Sequence, residues 1–172
     1  ELVNIERTDT QVALLEDPET QCGYVIFRGS DARRDWLSNI DFLLRSAVSD
    51  AVLDEKQLDY PDVYAASTSG VLMHSGFTDA YLAARSAIHG IVQKSAMTRW
   101  IVTGHSLGGA LSKLCAVDLQ YNFSPKISVE VYVFGAPRVG NQAFVDSYNR
   151  RVPSTWRFVN GNDVVSGLPR RW

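Results

Sequence analysis

The chain has 172 residues, 45% hydrophobic and 21% charged, with 17 basic and 19 acidic side chains and a formal charge of −2. That describes one globular domain around one core, without the broad basic footprint of a nucleic-acid binder. The doublets at 33–34, 150–151 and 170–171 read as solvated surface. No apolar run approaches the ~20 residues that cross a bilayer.

The opening stretch ELVNIERTDTQ lacks the basic-then-apolar order of a signal peptide, which leaves secreted and cytosolic locations both open. QVALLED and CGYVIFRG are rich in β-formers and flank DPET, a turn-like tetrapeptide, so they predict a hairpin. Two cysteines, Cys22 and Cys115, are too few for a disulfide framework and read as buried free thiols. DARRDWLSNI, residues 31–40, predicts a short helix with an acidic first turn, and 42–46 return to an apolar run. From 47 to 70 the pattern weakens into a long loop.

A regular alternation follows. VLMHSGF predicts a short strand entering a turn, and Phe77, Tyr81, Ala84, Ile88, Ile91 and Val92 keep helical spacing. WIVTG is a compact apolar strand; Leu107, Ala110, Leu111, Leu114 and Tyr121 mark one side of the next helix. KISVEVYVFG, VGNQAFVDSYNRR and TWRFVNG then predict strand, helix and strand. This rhythm implies an α/β domain, a mostly parallel sheet flanked by helices. Helices are expected on both of its faces.

The chemistry is concentrated where WIVTG meets its helix. Gly104, Ser106 and Gly108 form G-x-S-x-G between a strand and an amphipathic helix, followed by the small residues Gly109 and Ala110. A serine on such a sharp turn is lifted above the sheet at the positive end of a helix, and strand and helix approach so closely that positions two before and two after it need little side chain. The N–H of Leu107, directly after the nucleophile, is the natural first donor of an oxyanion hole.

GHSLGG, with Gly104, His105 and Gly108 framing Ser106, resembles the elbow of the fungal-type, or class 3, lipases of the α/β-hydrolase superfamily. FRGSDARRDWLSNIDF resembles that family's FRG-[ST] strand end, lid helix and tryptophan, and MHSGF its H-x-G-F turn. VYVFGAPRVGNQAF and FVNGNDVVSGLP resemble its G-x-P-R-V-G-N turn and its acid-bearing segment. The resemblance runs in order from about residue 9 to residue 169. It implies a serine ester hydrolase of α/β-hydrolase fold, without cofactor or metal, acting on a lipid or other ester with possible contact to a lipid interface. Asp163 would be the acid, in the chain order that places it after the nucleophile, and Ser30 the second oxyanion donor or a helix cap. Trp36, Leu37 and Ile40 would be apolar faces of a lid, or of a fixed surface helix.

The base is missing from this assignment. It should follow Asp163, yet the last histidine is His105, nine residues follow the aspartate, and His74, His89 and His105 all read as packing or structural hydrogen-bonding groups. The expectation is therefore a single domain over residues 1–172, truncated at both ends, lacking its C-terminal portion and with it the histidine. Triacylglycerol lipase or carboxylesterase is the leading expectation. Phospholipase, feruloyl-type esterase and a catalytically inactive lipase-like interaction protein are the alternatives.

Overall fold

The computed structural model describes residues 1–29, 71 and 73–168. The predicted hairpin is β2 (Thr10–Asp17) against β3 (Cys22–Phe27), antiparallel, with Asp17 opposite Cys22 and the turn held by Asp17, which accepts from Glu19 N and Thr20 Oγ1. A strand that the sequence pattern did not announce, β1 (Leu2–Ile5), pairs antiparallel with β2. Its four residues are too few to show a period of two.

Beyond β3 the sheet is parallel: β4 (Arg99–His105), β5 (Ser128–Phe134) and β6 (Thr155–Phe158) follow in spatial order 1-2-3-4-5-6. Each parallel step is made through a helix: α1 (Ser75–Lys94), α2 (Leu107–Phe123) and α3 (Gln142–Arg151). The VLMHSGF strand does not form among the described residues. Met73 makes one isolated bridge to Gly140 and the chain enters α1 at once.

Because the strand order never reverses, right-handed crossovers carry every described helix to the same face of the sheet. Of the helices expected on both faces, those among the described residues cover one. The covered face is formed by Val12, Leu14, Val25, Phe27, Trp100, Val102, Val129, Val131 and Val133, all buried, packed under Phe77, Tyr81, Ala84 and Ile88 of α1 and Leu111, Leu114 and Cys115 of α2. The other face shows Leu15, Ile26, Phe134, Trp156 and Phe158, each at least 36% exposed. Trp156 stacks on Tyr132 and Phe158 on Phe134 across the β5–β6 step.

Helix α2 is buried without interruption from Gly108 to Leu119. It is a central helix with sheet below and α1 and α3 at its sides, so the one-sided stripe expected for it is only part of its buried surface. Three polar residues are drawn inside with it: Ser112, which returns its hydroxyl to Gly108 O at 2.7 Å, Lys113 and Asp118. Asp118 ties α1 to α2, accepting from Tyr81 Oη, Arg85 Nε at 2.7 Å, Asn122 Nδ2 at 2.6 Å and His89 Nε2 at 2.8 Å. Burial pushes this carboxyl up, but the bonds from His89, Arg85 and Tyr81 prevail and hold it below the usual carboxylate value. Cys22 and Cys115 are buried free thiols. Among the described residues no helix is long and apolar enough to cross a membrane.

Candidate active site

Strand β4 delivers Ser106 to the top of the sheet in a conformation few L-residues adopt, φ 55° and ψ −122°. Such backbone costs of order 1–3 kcal/mol and persists only where its surroundings hold it. Here the Ser106 N–H donates to Phe134 O at 2.9 Å, and its carbonyl accepts from Gly109 N at 3.0 Å and Ala110 N at 3.3 Å. The flanking glycines are required by contact. A β-carbon at 104 would stand 2.4 Å from the Gly108 carbonyl, and one at 108 would stand 2.4 Å from Phe27 O, because α2 starts directly against the ends of β3 and β4. Leu107 is the first residue of α2, so its N–H has no intrahelical acceptor and lies at the positive end of the helix dipole.

Asp163 reaches the same edge of the sheet from the loop after β6. Its N–H donates to Asn160 O at 3.1 Å, its Oδ1 accepts from Val165 N at 3.1 Å, and its carbonyl accepts from Ser166 Oγ at 2.7 Å. Arg157 Nη2 braces this loop, donating to Ser166 O at 2.6 Å and to Ala136 O at 3.1 Å. With Oδ1 engaged locally, Oδ2 projects over Gly135 at the end of β5. Gly135 has φ +54°, and a β-carbon there would meet Asp163 Oδ2 at 2.5 Å and His105 Nε2 at 3.5 Å. Position 135 therefore makes room for the carboxylate, a role the sequence reading passed over. Its signal was a glycine ending the strand next to the elbow strand. Asp163, His105, Phe134, Gly135, Phe158, Val159 and Asn160 line a cleft of about 460 Å³.

The three histidines separate. His89 meets Phe123 edge-on and is bonded to Asp118, which lies twelve residues or roughly 18 Å along α2 from Ser106. His74 is buried at the head of α1 beside Phe77; its N–H donates to Val139 O at 2.9 Å and its carbonyl accepts from Phe77 and Thr78. His105 is exposed and lines the Asp163 cleft, its side chain on the other face of β4 from Val102 and Gly104. No hydrogen bond joins a histidine to Ser106 among the described residues. Ser30, the proposed second donor, and Trp36, Leu37 and Ile40, the proposed lid face, lie outside the described residues. Those described contain no group of three or more His, Cys, Asp or Glu placed to hold a metal.

The chain has relatives among known proteins. The family profile "Lipase (class 3)" matches residues 24–171. A lipase of Rhizomucor miehei is 30% identical over 167 residues, 94% of this chain and 41% of that protein. The secreted mono- and diacylglycerol lipase 1 of Fusarium solani is 30% identical over 149 residues, 84% of this chain and 38% of its own length. A solved triacylglycerol lipase whose catalytic centre is formed by a serine protease triad superposes with a TM-score of 0.77 at 30% identity, covering 98% of this chain and 59% of that one. This chain thus spans about two fifths of the length of those two relatives.

Proposed function

Because the chain belongs to the class 3 lipase family, we propose that it carries the nucleophile, the acid and the oxyanion hole of a serine ester hydrolase acting on lipid esters. One observation carries the reading: Ser106 is held at positive φ at the head of α2 while the Asp163 carboxylate is seated over Gly135 on the same sheet edge, one strand away. Ser106 Oγ would attack the acyl carbon while a base takes its proton. The Leu107 N–H and that of Ser30 would stabilise the oxyanion, and the alcohol would leave with the proton, giving an acyl-enzyme that water then cleaves. Asp163 is the group that orients the base and stabilises its charged form.

The base we assign to a histidine supplied from outside these 172 residues. In support, His74 is buried at the head of α1, His89 is bonded to Asp118, and the Asp163 carboxylate, seated over Gly135, stands one strand from the Ser106 strand, about 5 Å along the sheet. Triacylglycerol or a related carboxylic ester is the substrate class we favour, after the relatives' own names. That no histidine among the described residues is bonded to Ser106 favours a second reading, a lipase-like interaction protein without turnover.

Assays with a short-chain nitrophenyl ester separate these. The full-length protein should turn over, its Ser106→Ala variant should fall to background, and the 172-residue piece should retain only the residual catalysis of binding and oxyanion hole, on the order of 10³ to 10⁴ over water. Background rates for the full-length protein would leave the non-catalytic reading. Robust turnover by the piece, lost in Ser106→Ala, would move the base back inside it, with His74 the first suspect and His105 the next.

A further inference from the structure

A second cavity, of about 640 Å³, opens between α2, α3 and the covered face of β6. It shares β6 and the loop after it with the Asp163 cleft, Arg157 and Ser166 lining one, Phe158 and Asp163 the other. Its walls carry three cations, Lys113, Arg138 and Arg157, and no Asp or Glu among the described residues. Lys113 is 9% exposed and donates to Pro137 O at 3.1 Å, which leaves two of its three ammonium protons without a protein acceptor among the described residues. Arg157, exposed at the mouth of the cavity, spends its Nη2 on the neutral carbonyls of Ala136 and Ser166.

Lysine is among the residues least often buried, and a buried cation is ordinarily paired. Here burial first and then the neighbouring Arg157 push the Lys113 ammonium down to about 7. The head of α3, where Gly140, Asn141 and Gln142 line the cavity, adds the positive end of a ten-residue helix to the same space. Burial, Arg157 and the helix end all disfavour the Lys113 charge, and an apolar residue at 113 would fill the space between α2 and α3 without this cost.

We propose that this cavity is an oxyanion site that takes a phosphate or carboxylate group between Lys113 and Arg157, with Arg138 at its rim. Phe144, Val145 and Tyr148 form an apolar wall beside that position, so the group can be a free anion or the head of a larger apolar molecule. The proposal does not depend on the hydrolase reading. A bound anion pairs the two cations, and through Arg157 it touches the loop that presents Asp163.

Calorimetric titration of the full-length protein at low ionic strength tests it with three probes: inorganic phosphate, acetate and octanoate. Binding of at least one in the millimolar range or tighter is expected. Lys113→Met should weaken that binding by about tenfold or more, the value of one charge-assisted hydrogen bond. Arg99→Gln, at the opposite end of the sheet, should leave it unchanged. Amide shifts at Gly140, Asn149 and Ser166 on titration locate the site in the unmodified protein, independently of how the variant folds. Phosphate binding alone identifies a phosphoryl group, and octanoate binding well ahead of acetate identifies a fatty-acid-like ligand on the apolar wall. Absence of binding by all three, equal loss in Arg99→Gln, or shifts confined to other regions would overturn the site.

Discussion

The two ends of α2 solve opposite problems with the same helix. At its head Ser106 is bent into positive φ, positions 104 and 108 admit no β-carbon, and the Ser106 N–H and carbonyl both find backbone partners. Toward its tail Asp118 is surrounded by Tyr81, Arg85, His89 and Asn122, more donors than a carboxylate needs to stay buried and charged. Strain at one end is tolerable because the other locks α2 to α1, so the elbow cannot relax by moving the helix. Lys113 lies between them as the unbalanced case, a buried charge with one carbonyl for company. The contrast teaches that burial of a charge by itself says little. Its partners decide whether it stabilises the fold or leaves capacity for a ligand.

Breaking the tail should have the largest effect. Asp118→Ala removes the shared acceptor of Tyr81, Arg85, His89 and Asn122 between two helices and should cost about 3–5 kcal/mol in urea unfolding, the usual range for removing one member of a buried pair. A loss below ~1 kcal/mol would mean that α1 and α2 are held by apolar packing alone. The folded carboxyl lies below its ordinary value of 3.8, so this contribution is complete above that pH and disappears as pH falls through the folded value.

Lys113→Met should act with the opposite sign and a different pH profile. The folded ammonium titrates at about 7 against 10.5 when exposed, so between those values the unfolded chain binds more protons and wild-type stability rises with pH. The variant should lose that rise. At pH 6 it should be more stable than wild type by a few kcal/mol. Near pH 10 the gain should vanish, leaving the loss of the Pro137 bond, about 1 kcal/mol. Parallel stability curves from pH 6 to pH 10 would place Lys113 in water rather than in the core.

The smallest effect tests the head. Ser106→Gly relieves the positive φ that Ser106→Ala retains, so the glycine variant should be the more stable of the two by about 1 kcal/mol, although neither can form an acyl-enzyme. Equal melting temperatures would show that the elbow is not strained in solution.

Most of the architecture was legible because it depends on local periodicity. The DPET hairpin, the spacing from Phe77 to Val92 and the three later strands are patterns of two to four residues, and each became the element it predicted. Misses occurred where pattern is too short or the neighbour is remote. Leu2–Ile5 pairs only because β2 is there to receive it, and VLMHSGF has strand composition but only Gly140 as a partner. The elbow was readable because its glycine spacing is a local steric requirement. Gly135 was not, since the group it makes room for, Asp163, lies 28 residues further on.

By itself, then, the sequence determined the elements, the elbow and the family, all of which are set by residues within a few positions of one another. Tertiary structure decided what distance along the chain conceals. An unreversed strand order placed all described helices on one face, α2 became a helix buried all round, and Asp118 and Lys113, five residues apart on it, acquired opposite electrostatic surroundings. Within α2 itself the difference is limited to Asn122, one turn beyond Asp118. The donors that settle Asp118 come mainly from α1, and the cation that burdens Lys113 comes from β6, so their difference exists only once the crossovers have brought those elements against the same helix.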